Sequence, residues 1–116
     1  MSQSYPDLIQ DLNAAIGTLR AGAPATMKAF GALAREASAP GELDVKTKEL
    51  IAIAIAVATR CDGCIGFHAK AAIRAGANRE EVLETISMAI YMGAGPSMIY
   101  AAEALRAFDE LSTPPA

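Results

Sequence analysis

Apolar residues recur along this chain at the spacing of helices. Leu8, Leu12, Ala15, Ile16 and Leu19 share one face over roughly residues 7 to 19, with Asp11 and Arg20 on other faces, which predicts a first amphipathic helix. Gly22 and Pro24 interrupt it, and Pro24 suits the opening turn of a second helix carrying Met27, Phe30, Leu33 and Ala34. Ser38-Ala39-Pro40-Gly41 ends that helix, and Asp44 is placed to cap a third. Next comes IAIAIAVA, in which β-branched residues alternate with Ala. The period alone argues for a strand. Ala, however, is depleted in strands and best in helices, and a lone strand would have no partner, so the segment is predicted to be a helix, apolar all round and therefore central.

A short break at Thr59 to Cys61 leads to a fourth helix running to about Ala75, with Gly76 in the usual place after a helix end. Asn78 followed by Glu81 reads as a capping box for a fifth helix carrying Val82, Leu83, Ile86, Ala89, Ile90 and Met92. Gly93-Ala94-Gly95-Pro96 is predicted to break the chain again before a sixth helix from Ser97 to Leu111, and residues 113–116 to form a disordered tail. The expected fold is all-α, a single six-helix domain over residues 1–116. Composition agrees: 53% of the chain is hydrophobic but only 5% aromatic, with no Trp, so Ala and aliphatic residues dominate, as closely packed helices require.

A formal charge of −3 gives no footprint for nucleic acid, since Lys and Arg are scattered rather than clustered. The opening MSQSYPDL lacks the basic end and apolar stretch of a secretory signal, which points to the cytoplasm. The longest apolar run, Leu50 to Ala58, falls well short of the roughly 20 residues that span a bilayer as a helix, so no membrane partner is expected. The chain has two cysteines, three positions apart, too close to staple a fold. In a reducing compartment such a pair is more often catalytic or metal-binding.

Residues at i, i+3 and i+7 share a helix face, so Cys61, Cys64 and His68 form one stripe if the fourth helix begins near Cys61. The positive end of the helix dipole would there favour thiolate over thiol. Glu49 joins this stripe by arithmetic. In an antiparallel hairpin of the third and fourth helices, Glu49 and His68 sit roughly 15 Å and roughly 10 Å from the turn, at a rise of about 1.5 Å per residue, an offset their side chains can cover. A carboxylate beside an imidazole can relay protons, and two thiols can form a disulfide reversibly, through a sulfenic acid when the oxidant is a peroxide or through a mixed disulfide otherwise. Such a cycle needs no cofactor.

Other readings of the same residues stay open. The cysteines can be small buried hydrophobes, or Cys61, Cys64, His68 and Glu49 can form a zinc site, giving a non-enzymatic helical module with a redox- or zinc-dependent clasp. Glu49 can be a solvated first-turn carboxylate paired with a nearby Lys. Asp62 is expected to cap the fourth helix. Tyr91, Tyr100 and Met88, Met92 and Met98 are expected in the core or an interface.

The stretch KELIAIAIAVATRCDGCIGFH, followed by AGANREEVLETISMAIYMGAGPSMIYAAEAL, resembles the carboxymuconolactone decarboxylase family in its AhpD-like, alkylhydroperoxidase branch, over about Leu43 to Leu105. The motif carrying the resemblance is a Glu followed twelve positions later by C-x-x-C-x-x-x-H, matched by Glu49, Cys61, Cys64 and His68. The resemblance implies an all-α fold, a dithiol peroxidase or disulfide reductase activity in antioxidant defence, and Glu49 and His68 as a proton relay. It also implies a hydroperoxide or disulfide substrate, a dithiol reductant of lipoyl- or thioredoxin-like type, and a homotrimer or homohexamer. Two departures bear on this. AhpD proteins are longer and carry a His between the cysteines, where this chain has Asp62-Gly63, so substrate and reductant need not carry over. The decarboxylases that name the family lack the cysteine pair. Helix-dipole reasoning favours Cys61 as the attacking sulfur, whereas the resemblance points to Cys64 with Cys61 resolving.

Overall fold

The computed structural model describes residues 3–113. Five helices follow in order: α1 (Tyr5–Gly22), α2 (Pro24–Ser38), α3 (Val45–Ala58), α4 (Asp62–Arg74) and α5 (Arg79–Ser112). The tail expected at 113–116 falls, beyond Thr113, outside the described residues.

The starts are set by side-chain caps. Ser4 Oγ accepts the Asp7 N–H ahead of α1, Asp44 Oδ1 accepts the Thr47 N–H at 2.7 Å ahead of α3, and Asn78 and Glu81 form the reciprocal capping box ahead of α5. Pro24 opens α2 as its sequence position implies. At the ends of α3 and α4 the chain makes the same pair of bonds, back to the third and second residues from the end: Cys61 N–H to Ala56 O and Arg60 N–H to Val57 O after α3, Ala77 N–H to Ala72 O and Gly76 N–H to Ile73 O after α4. This turn needs a left-handed residue. Gly76 supplies it after α4 with φ 93°, and Arg60 after α3 with φ 58°.

The expected sixth helix is corrected. Residues 79–112 run as one element with a kink: Ala94 alone leaves helical conformation, at φ 56° and ψ −141°, and the helix resumes at once beyond it, so the break expected over 93–96 shrinks to a single residue. Pro96 sits just past the kink, where its missing N–H falls in the first turn of the continuing helix. Gly93 is required there, since a Cβ would collide with the Ser97 side chain.

The core lies where α3, α4 and α5 meet, through Ile53, Val57, Ile65, Ala72, Val82 and Ala104, each at most 1% exposed. Burying each of the Ile and Val side chains stabilises by about 1.5–3 kcal/mol, while the small Ala72 and Ala104 let the helices approach closely. α1 packs across α4 and α5, burying Tyr5 and Ile9. α2 buries no residue and touches α1 and α3 only, anchored by Lys48 Nζ, which donates to the carbonyls of Ala37 and Ala39. The expectation for α3 holds on one side only. It is central, yet Ile51 and Ile55 are 43% and 57% exposed. Tyr91, Met88, Met92 and Met98 are likewise exposed rather than in the core. Among the described residues, no helix is long and apolar enough to cross a membrane.

Candidate active site

The left-handed turn at Arg60 reverses the chain directly into Cys61, whose extended backbone (φ −112°, ψ 97°) makes it the residue before α4. Cys61 Sγ accepts the Cys64 N–H at 3.2 Å, so the sulfur itself caps the helix. This corrects the expected cap: Asp62 is the first residue inside α4, and its carboxylate faces the Tyr5 hydroxyl. Cys61 and Cys64 are joined by a disulfide with their Cα atoms 5.2 Å apart, well within the span such a bond bridges.

One turn beyond Cys64 on the same face of α4 stands His68. Its Nδ1 lies 2.7 Å from Glu49 Oε2 on α3, across the antiparallel hairpin. The Glu49 side chain is only 11% exposed, whereas that of His68 is 40% exposed. A nearly buried carboxylate is costly without a partner, and His68 is the partner that Glu49 finds. The pairing leaves the other ring nitrogen of His68 free of Glu49, on an imidazole whose orientation is fixed. The structure therefore makes two pairs of the four residues singled out in the sequence, Cys61 with Cys64 and Glu49 with His68, on neighbouring turns. Among the described residues, no group of three or more His, Cys, Asp or Glu is arranged to hold a metal ion.

Beside the Glu49–His68 pair opens a cleft of about 430 Å³, walled on the far side by Phe30, Ala34 and Ala37 of α2 and floored by Ala52. Lys48 stands at its edge. Four of the eight lining residues are apolar, and the polar groups are the imidazole, the carboxylate, the Lys48 ammonium and the Ser38 hydroxyl, an apolar wall with a few polar groups of the kind that receives a small organic molecule.

A family model described as the carboxymuconolactone decarboxylase family matches residues 24–107. The chain belongs to the carboxymuconolactone decarboxylase family. A family member from Legionella pneumophila, solved in its apo form, is 50% identical and superposes with a TM-score of 0.92 over 94% of this chain and 97% of its own. A Thermotoga maritima family member, whose description raises an antioxidative response as a possibility, is 28% identical with a TM-score of 0.80 over 90% of this chain and 89% of its own. Among curated proteins, an uncharacterized Cupriavidus necator protein is 40% identical over 97% of this chain and 99% of its own length. An uncharacterized protein encoded in the cox locus of Paracoccus denitrificans is 45% identical over 85% of this chain and 89% of its own.

In this carboxymuconolactone decarboxylase family chain, sequence reasoning missed the residues that hold the cysteine turn in place. Tyr5 is 1% exposed, and its hydroxyl lies 3.1 Å from Glu103 Oε2 and 3.4 Å from Asp62 Oδ1. Burial, then the nearby Asp62 and Glu103 carboxylates, push the phenol well above its ordinary range, so the hydroxyl keeps its proton and acts as a donor. Arg106 lies 4.7 Å over the Tyr5 ring and bonds Glu103, whose carboxyl it holds below the usual range, and Glu110. The one signal available in the sequence was the i, i+3 and i+4 spacing of Glu103, Arg106 and Glu110. It says nothing of Tyr5.

Proposed function

We propose that this protein is a dithiol-dependent peroxidase or disulfide reductase of the AhpD-like branch, acting in antioxidant defence through Cys61 and Cys64. The observation that carries this reading is a disulfide on the same helix face as an imidazole held at 2.7 Å by a buried carboxylate.

In the reduced protein His68, steadied by Glu49, takes the proton of Cys64. The Cys64 thiolate attacks the terminal oxygen of a hydroperoxide: an S–O bond forms as the O–O bond breaks, Cys64 is oxidised to a sulfenic acid, and the alkoxide takes the proton back from His68 and leaves as an alcohol. His68 then takes the proton of Cys61. The Cys61 thiolate displaces hydroxide from Cys64, forming the disulfide, and the hydroxide leaves as water with that proton. A dithiol, of lipoyl- or thioredoxin-like type, reduces the disulfide by two successive thiol exchanges and is itself oxidised. Cys64 is assigned as the attacking sulfur because it lies one turn from His68. Cys61, bonded to the helix N-terminus, is the resolving sulfur and, during reduction, the favoured leaving group, because that position stabilises its thiolate.

We assign the protein to a reducing cytosol and to a homotrimer or homohexamer. Support for assembly comes from the exposed apolar face of Ile51 and Ile55 on α3 with Met88, Tyr91 and Met92 on α5. The reading is tested by following consumption of an organic hydroperoxide with dithiothreitol as reductant. The parent protein is expected to turn over and Cys64→Ser to be inactive. A Cys64→Ser variant as active as the parent would contradict it, and stoichiometric zinc resistant to chelation in the purified protein would favour a structural clasp instead.

A further inference from the structure

The cysteine turn is pressed from one side by α1. A Cβ on Gly63, between the two cysteines, would come within 2.8 Å of Leu12 Cδ1, and one on Gly66 within 3.2 Å of Tyr5 Cδ1 and 3.3 Å of Ile9 Cγ1. The absence of side chains at these glycines lets α1 lie against the start of α4. At this contact Tyr5 is held at several points. Its backbone N–H donates to Glu110 Oε1 at 2.7 Å, its ring lies under Arg106, and its hydroxyl stands between Asp62 on α4 and Glu103 on α5. The hydroxyl has one proton, with Glu103 the nearer carboxylate at 3.1 Å and Asp62 the farther at 3.4 Å.

We infer that Tyr5 is a positioning residue for the redox pair: its hydroxyl turns the Asp62 carboxylate toward α1 and α5 rather than onto the first N–H groups of α4, weakens without abolishing the effect of that charge on the cysteines, and thereby sets the thiol–disulfide equilibrium of Cys61 and Cys64. The inference rests on the reading of this pair as redox-active, though not on a peroxide being the oxidant.

Two ligands compete for the first N–H groups of α4, the Cys61 sulfur, which occupies that place at 3.2 Å from the Cys64 nitrogen, and the adjacent Asp62 carboxylate, which faces Tyr5 instead. Without the hydroxyl, Asp62 and Glu103 face each other with no donor between them. Arg106 neutralises Glu103 at 2.8 Å but has no bond to Asp62. Asp62 is then driven toward the helix N-terminus, where it disfavours a thiolate on the reduced cysteines both by charge and by taking their donors. The other charged groups bearing on the turn, Arg60 before it and the Glu49–His68 pair beyond it, are untouched by the change. Destabilising thiolate destabilises the reduced form, so the disulfide becomes harder to reduce. Asp62 is solvent-exposed, which screens its charge and keeps the effect modest.

The test is a double-mutant cycle read as the equilibrium constant of the Cys61–Cys64 pair against a glutathione redox buffer. Tyr5→Phe is expected to shift the equilibrium about threefold toward the disulfide. Asp62→Asn is expected to shift it the other way, and Tyr5→Phe on the Asp62→Asn background to have no further effect. An equal Tyr5→Phe shift on both backgrounds, or none on the parent, would overturn the inference. If Tyr5→Phe fails to fold, Tyr5→Met, which also removes the hydroxyl, takes its place in the same cycle: a shift toward the disulfide that vanishes on the Asp62→Asn background supports the link, and an equal shift on both backgrounds or none on the parent overturns it. Because no peroxide enters this assay, loss of the peroxidase reading would leave its outcome intact.

Discussion

Glu49 is the residue whose placement departs most from its local sequence. It follows the polar first turn of α3 with Lys46 and Lys48, yet is only 11% exposed at the side chain, with one partner at 2.7 Å. Replacing it by Gln keeps the size and a hydrogen bond to His68 but removes the charge that steadies an imidazolium, so Glu49→Gln is expected to lower kcat/KM for hydroperoxide about 100-fold. Oxidation of the same variant by diamide should still close the Cys61–Cys64 disulfide, because the sulfurs are untouched. Unchanged peroxide kinetics would remove Glu49 from the relay. Glu49, Cys61, Cys64 and His68 were legible in the sequence because helical spacing places three on one face and hairpin arithmetic brings in the fourth. Tyr5 and Asp62 were not, since they meet across 57 positions and neither belongs to a spacing pattern.

At the scale of elements, the starts of α3 and α5 were the most legible, because a cap is a local contact of a few residues and Asp44 and Asn78 each make one, whereas the Ser4 cap, which starts α1 at Tyr5 rather than near residue 7, went unread. Two features were not local. The cap of α4 passed from Asp62 to Cys61 because the turn at Arg60 leaves Cys61 extended with its sulfur over the Cys64 N–H, while Tyr5 engages Asp62. The expected break at residues 93–96 became a kink, since the halves of α5 both pack on the same core. Arg60 and Ala94 are the two non-glycine residues with positive φ among the described residues, at 58° and 56°. A Cβ is unfavourable in both conformations, so Arg60→Gly and Ala94→Gly are each expected to stabilise the oxidised protein by about 1 kcal/mol in urea denaturation. A loss of stability at Ala94 would mean that the kink is not held in this conformation. That Arg60 stands where Gly76 serves the matching turn sets a cation immediately before the cysteine pair at the expense of local backbone strain.

For the whole molecule, the unsatisfied surface is apolar. Between α3 and α5 a groove of about 440 Å³ is lined by Ala54, Ile55, Met88 and Met92, with Arg60 and Ser97 as its polar groups. Met92 is 77% exposed and Tyr91 79%. Surface of this kind is expected to be covered by other copies of the chain. Sedimentation velocity should show a trimer or hexamer for the parent and a smaller species for Ile55→Glu, in which a buried charge would oppose the contact; a monomeric parent at micromolar concentration would contradict assembly. Closest to the chemistry itself is a single turnover of the reduced protein with one equivalent of an organic hydroperoxide, read by mass spectrometry in the presence of the sulfenic-acid trap dimedone. The expected result is one equivalent of alcohol with a Cys61–Cys64 disulfide in the parent and a dimedone adduct on Cys64 in Cys61→Ser. Peroxide consumed no faster than by a free dithiol, or a dimedone adduct on Cys61 in Cys64→Ser with none on Cys64 in Cys61→Ser, would contradict it.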